Sequence, residues 1–403
     1  MCSYMNLAKR LQLIKPSPTL MVTVQVAALR RQGIEVIDFG AGEPDFDTPD
    51  HIKEAAVAAL RQGKTKYTPV GGTAELKEAI IAKLQRDNGL TYSLPEVTAN
   101  CGGKHTLFNA FHALFGEGDE VLIPAPYWVS YSDMVILTGG QPKLLPTGEG
   151  TGFKITAAQL HEAIGPRSRA LLLNSPSNPT GAAYTEDELR QIAEVIERSN
   201  LIVISDDVYE KFLYDSPRCA HLLALKPHLR DRVLLVNSVS KTYAMTGWRL
   251  GYAAGPREVI SAIETLQSQS TSNPNSITQA AAVAALTGTQ EPVGVMAREF
   301  AKRRDYVVRR LRAMPGISCT LPEGAFYVFP CVSAYFGAKW QDKTIASAMA
   351  LSLYLLQEAK VALVAGEGFG SPDHVRISYA TSMQNLEQGL DQIEAALKRL
   401  GSL

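Results

Sequence analysis

Ser238-Val239-Ser240-Lys241, followed eight residues later by Arg249, gathers two hydroxyls, an amine and a guanidinium into one short stretch. A lysine amine attacks carbonyl carbon, and hydroxyl and guanidinium donors hold an anion. The set therefore suits an aldehyde cofactor that also carries a phosphate. Gly102-Gly103-Lys104 precedes a helical pattern; paired glycines there leave amides free to face an anion, and the helix dipole adds to the pull. Trp128 offers a flat face for stacking on a heterocycle. Asn178 sits between Pro176 and Pro179, a rigid turn that aims one amide. Asp206 and Tyr209 lie past an apolar run, where a carboxylate is costly unless paired. Arg376 carries a planar fork that fits a carboxylate. Singly, each is a weak signal: a loop lysine is mostly a surface lysine, a tryptophan mostly core, Gly-Gly often a mere turn, and a mid-strand arginine often an edge guard.

Elements that would position these groups are legible in the periodicity. Residues 170–174, 201–205 and 233–237 are short apolar runs that read as buried strands of a parallel sheet. Asn178, Asp206 and Lys241 then fall just beyond strand ends, where open α/β sheets hold ligands. Residues 34–39, 120–123 and 324–329 also read as strands. Residues 375–379 alternate, putting Arg376 on the face opposite Val375 and Ile377. Helices are expected over 19–31 (Thr19 as cap, Gly33 as stop), 51–62, 106–115, 291–314 and 347–358. Capping-box spacings place helix starts at Thr156 with Gln159, Thr185 with Glu188, and Thr381 with Gln384. Strand, loop and helix recur regularly from 95 to 255, which implies an α/β fold with a mostly parallel, doubly wound sheet. A large domain over 46–290 and a smaller α/β domain from 1–45 with 291–403 are expected, the long helix from 291 leading out of the first.

Composition narrows the function classes. Forty basic and forty acidic residues cancel, so no nucleic-acid or membrane-surface partner is indicated. Five cysteines without repeating spacing argue for a reducing compartment and against a disulfide framework or metal site. No apolar run approaches the ~18 residues that cross a membrane. The absence of acidic residues before Glu35 is a faint transit-peptide feature; a cytoplasmic location is expected nonetheless, because the resemblance described next already begins at Lys15.

The segment 238–252, S-V-S-K-T-Y-A-M-T-G-W-R-L-G-Y, resembles the cofactor-lysine segment of the class I/II aminotransferases, pyridoxal-phosphate enzymes of the aspartate aminotransferase fold. The resemblance runs from about Lys15 to the C-terminus and includes N-S-P-S-N-P-T-G at 174–181, which is highly specific. It implies that Lys241 carries the cofactor covalently and then serves as the base, that Asp206 pairs with the ring nitrogen, and that Tyr209 and Asn178 reach the ring's phenolic oxygen. It further implies stacking by Trp128 and a phosphate cup built from Gly102, Gly103, Lys104, Ser238, Ser240 and Arg249. Tyr67, in K-Y-x-x-x-x-G, would cross to the phosphate of a neighbouring subunit, making the protein a homodimer. Gly42 would lie against the substrate and Arg376 would grip its α-carboxylate. Where the family commonly has Asp-Glu-Ile/Val-Tyr, this chain has Asp206-Asp207-Val208-Tyr209, a departure that falls beside the ring's partner.

Residues 15–19, K-P-S-P-T, together with Lys104 resemble the bacterial and plant subgroup acting on aspartate and, in some members, prephenate. There Thr19 and Lys104 would meet the distal carboxylate. The expected reaction moves the α-amino group between L-aspartate and a 2-oxo acid such as 2-oxoglutarate in a ping-pong sequence, with glutamate or prephenate as further substrates. Rival readings are an aminotransferase preferring aromatic or other donors, a β-lyase on the same fold, and a regulator built on a dead aminotransferase domain. The short stretch ahead of Gly42 disfavours the last of these.

Overall fold

The computed structural model describes residues 7–14, 18–216 and 218–400. Its centre is a seven-stranded sheet in the order 97–100, 251–254, 233–238, 202–206, 168–174, 120–125, 141–146. Every neighbouring pair is parallel except those made by Gly251–Ala254, which runs against both Val233–Ser238 and Val97–Asn100. The chain between 238 and 251 holds turns and one short 3-10 helix, Thr246–Trp248, too short for a crossover, and the next strand returns antiparallel.

Alternation along the strands sends side chains to two faces. Val121, Ile123, Ala170, Leu172, Ile204, Leu234 and Val236 pack under helices Gly103–Leu114, Ser130–Leu137 and Arg257–Ser268. Leu122, Leu171, Leu173, Val203, Val233 and Leu235 pack on the opposite side with helices Ala74–Asn88, Glu186–Glu197 and Ser276–Thr287. Burial on both faces is why these strands read as unbroken apolar runs.

Three further strands form a smaller antiparallel sheet in the order 364–365, 375–378, 327–328, and Ile37–Asp38 pairs in parallel with Val361–Ala362. The strands expected over 34–39 and 324–329 shrink to these two-residue ladders. The long helix is Glu291–Arg312. Thr156 and Thr185 cap their helices with complete capping boxes. The terminal helix departs from expectation: its cap is Ser382, whose hydroxyl accepts from Asn385 N at 3.2 Å. Thr381 instead accepts from the Asn385 side chain. The first helix begins at Pro18, one residue ahead of the expected Thr19 cap; proline suits a first helical turn because its missing N–H is not needed there.

Among the described residues no helix is long and apolar enough to cross a membrane. Nor does any group of three or more ligating side chains suit a metal ion.

Candidate active site

Register decides what the strand ends bring together. Asn174 pairs with Asp206, and Asp206 with Val236, so Asn174, Asp206 and Ser238 finish three adjacent strands at one edge of the sheet. Beyond that edge lies a cleft of about 300 Å³. Gly42, Gly103, Lys104, Trp128, Asn178, Asp206, Tyr209, Ser238, Ser240, Lys241, Arg249 and Arg376 all line it. The expected residues are thus gathered from seven separate stretches of chain.

The glycine cup has a steric basis. Gly102 adopts φ +99°, a region closed to most side chains, and a Cβ there would stand 2.5 Å from Arg249 Nη2. A Cβ on Gly251 would meet Gly103 N at 2.3 Å, so two glycine-bearing segments touch backbone to backbone at the helix start. Arg249 is itself held at φ +58°, its Nη1 donating to Thr246 O at 2.7 Å. A non-glycine residue in this conformation is strained, which fits a site whose guanidinium direction matters more than local comfort.

Charge in the cleft is mostly positive and mostly unanswered. Lys241 donates from Nζ to Gly42 O. Burial pulls its amine down to about 8; Glu43 opposes that fall, while Arg376, Arg249 and Lys104 add to it. Lys104 is lowered by burial and by Arg249; its Nζ lies 4.9 Å over the Trp128 ring. Asp206 is the buried counter-charge. Burial raises its carboxyl to about 6 and Asp207 adds to the rise, against a hydrogen bond from Tyr131 Oη at 2.6 Å. A carboxylate in this state is poised to share a proton with a basic nitrogen above it.

Arg376 is 2% exposed. Its Nη1 donates to Asn178 Oδ1 at 3.0 Å and its Nη2 to Gly40 O at 2.7 Å, while Nε has no partner. An orphaned donor on a buried guanidinium is costly in the protein alone and is answered by an anionic ligand. Tyr327 lies under that guanidinium, 4.6 Å from its centre, and shares a 2.9 Å hydroxyl contact with Tyr209. A Cβ on Gly42 would come 3.3 Å from the Tyr327 hydroxyl.

Two expected residues stand apart. Tyr67 is 91% exposed and does not line the cleft of its own chain; it borders a separate depression beside Lys64, Lys66 and Gln279. The Thr19 side chain lies outside the described residues. Conversely, Tyr131, Tyr327, Asn174 and Asn237 line the cleft without having been singled out. Tyr131 follows Trp128 by three residues, and its N–H donates to Trp128 O at 3.0 Å across the turn that leads into helix Ser130–Leu137.

The family described as aminotransferase class I and II matches residues 34–393. An aspartate aminotransferase of Geobacillus stearothermophilus is 48% identical over 392 residues, covering 96% of this chain and 98% of that protein. An aspartate/prephenate aminotransferase of Nitrosomonas europaea is 46% identical over 396 residues, 98% of this chain and 100% of that protein. The crystal structure of an aspartate aminotransferase from Rhizobium meliloti superposes with a TM-score of 0.94 at 48% identity, covering 98% of this chain and 99% of that one.

Proposed function

The chain belongs to the class I and II aminotransferases, and on that footing we propose that it exchanges an amino group between L-aspartate and a 2-oxo acid such as 2-oxoglutarate, using pyridoxal phosphate. The observation that carries the reading is the convergence, in one cleft, of a lysine amine held near 8, a buried carboxylate raised to about 6, and an arginine with an unsatisfied Nε.

The residues present fit the cofactor. Gly102, Gly103, Ser238, Ser240 and Arg249 would hold its phosphate, Trp128 would cover its ring, Asp206 would face the ring nitrogen, and Asn178 and Tyr209 the phenolic oxygen. Bound there, pyridoxal phosphate supplies an aldehyde for the amino group and a ring that delocalises negative charge. The remaining work falls to the chain. Arg376 turns the α-carboxylate so that the α-proton faces Lys241. Lys241 Nζ, largely neutral just above its lowered value, takes that proton and returns it. Lys104 meets a second carboxylate, which favours a dicarboxylic donor. The same Arg376 and Lys104 then receive the oxo acid, so one site serves both halves of the exchange.

Residues 46–290 are read as the large cofactor domain, and 1–45 with 291–403 as the small one. That division places Arg376 and Tyr327 across the cleft from Lys241 and Asp206. The exposure of Tyr67 favours a homodimer in which it reaches the partner's phosphate; a cytoplasmic location accords with the free thiols among the described residues. Prephenate, which also carries two carboxylates, is the second acceptor that Lys104 favours.

A panel of aspartate, alanine and an aromatic donor against 2-oxoglutarate, oxaloacetate and prephenate tests this. Aspartate is expected to lead, and Lys104→Ala to lower its kcat/KM by about tenfold more than that of alanine. Equal losses, or an aromatic donor in front, would overturn the substrate assignment. Release of pyruvate or ammonia without amino transfer would indicate a β-lyase.

A further inference from the structure

Tyr67 stands open to solvent, yet the turn that follows it is fastened from within by two buried glutamines, Gln279 at 1% exposure and Gln267 at 0%. Gln279 Nε2 donates to Thr68 Oγ1 at 2.9 Å and to Pro274 O at 2.8 Å, and its Oε1 accepts from Thr73 N at 2.9 Å. Both ends of the turn 68–73 therefore rest on one side chain, which projects from helix Ser276–Thr287. The tip is held separately. Gln267 Nε2 donates to Val70 O at 2.6 Å and to Ala99 O at 3.0 Å, and Ala99 N donates to Gly71 O at 2.8 Å. Gly72 takes φ +99°, and a Cβ on it would come 3.1 Å from that of Ala99. The turn is thus docked on the edge strand Val97–Asn100, which leads into the Gly102 cup.

We propose that Gln279 is a positioning residue that acts across the subunit boundary: by fixing Thr68 and Thr73 it presents Tyr67 to the cofactor phosphate of the neighbouring subunit, while Gln267 holds the tip of the same turn. The proposal rests on the homodimeric pyridoxal-phosphate reading above.

Holding a surface turn removes backbone freedom before binding, and a donor aimed in advance loses less entropy when its ligand arrives. Gln279 fixes the place from which Tyr67 reaches and leaves the ring itself alone. None of its partners Thr68, Thr73 and Pro274 lines the cleft of its own chain. Its effect on a bound phosphate therefore passes through Tyr67 and cannot exceed what Tyr67 contributes.

The Kd of pyridoxal phosphate is measured by titrating full-length apoprotein and reading the visible band that depends on Lys241. Tyr67→Phe removes one hydrogen bond to a charged group and is expected to weaken Kd about tenfold. Gln279→Met approaches that loss, and adds less than about twofold on top of Tyr67→Phe. Thr68→Val, a gentler change at the surface, weakens Kd about threefold, and Thr68→Ser, which keeps the hydroxyl, restores it. Fully additive losses in the double variant, or wild-type binding by both Gln279→Met and Thr68→Val, would overturn the proposal. In the apoprotein, trypsin should cut after Lys66 faster in these two variants than in wild type; equal rates would also overturn it.

A mixed dimer decides which subunit the glutamine serves. Gln279→Met is paired with Lys241→Ala by co-expression under two tags, so the one site that keeps its lysine faces a neighbour with Gln279 and Tyr67 intact. That site is expected to bind within about twofold of wild type. Binding as weak as in the Gln279→Met homodimer would overturn the proposal, because the side chain would then serve its own subunit. The same pairing made with Tyr67→Phe tests the reading beneath it. If neither site is restored, Tyr67 does not cross and the homodimer reading falls; rescue of the Tyr67→Phe site alone sinks only the role of Gln279.

Discussion

Two lysines of this chain, Lys83 in the interior and the half-buried Lys241 at the cleft, meet opposite fates. Lys83, 3% exposed, is met by Glu210, by Asn88 Oδ1 at 3.0 Å and, more distantly, by Asp87. Glu210 in turn accepts from Asn88 and Asn237, each at 2.7 Å. Lys241 has one backbone carbonyl, and Lys104 and the Nε of Arg376 have no protein hydrogen bond among the described residues. Asn237 belongs to both regions, its amide on Glu210 and its oxygen accepting from Ser238 N at 2.7 Å. A buried charge whose partners are all supplied internally is architecture; one left short of partners is waiting for a ligand.

Breaking the first region is expected to have the largest effect. Lys83→Met strands the Glu210 carboxylate and lowers stability by about 3–5 kcal/mol, read by denaturant unfolding. Donor preference should be unmoved; a change in preference would put Lys83 in the site. Arg376→Ala comes next, costing about 2–4 kcal/mol of substrate binding, roughly one to three decades in KM for aspartate. Arg376→Lys should recover little, because a point charge does not replace the fork. An unchanged KM would mean another group holds the α-carboxylate.

Lys241→Met sharpens the contrast by reversing its sign. It is expected to abolish turnover while raising apoprotein stability by roughly 0.5–2 kcal/mol below about pH 8, where the amine is charged at a cost. Loss of stability would place Lys241 with Lys83.

The smallest effect is in pH. Asp206 binds its proton more tightly folded than unfolded, so its contribution is full below the ordinary carboxyl value of 3.8 and is lost as pH rises through about 6. Lys241 is depressed, so its contribution is present above 10.5 and fades as pH falls through about 8. Apoprotein melting followed across that range should lose its acid-side slope in Asp206→Asn; an unaltered slope would contradict the raised carboxyl.

Much of the site was legible because its chemistry hangs on strand ends. Asp206, Ser238 and Lys241 follow apolar runs that can only be buried strands, and the paired glycines before 104 mark a helix start. Tyr131 and Tyr327 escaped because their roles depend on which helix and which second sheet fold back over the cleft, and no local pattern encodes that. Tyr327 sits in a run that reads as core, which it also is. The reversal of Gly251–Ala254 was equally hidden: it depends on the lack of a crossover-length helix between 238 and 251, where only the three-residue 3-10 helix Thr246–Trp248 forms. The Ser382 cap was missed by one residue because Thr381 and Ser382 offer the same hydroxyl chemistry.

Pyridoxal phosphate added to wild-type protein and to Lys241→Ala, followed by exhaustive dialysis and a visible spectrum, probes the central claim most directly. The account predicts a retained absorbance band that moves when aspartate is added in wild type, and neither band nor response in the variant. A band of equal strength in Lys241→Ala, shifting with aspartate as wild type does, would contradict it.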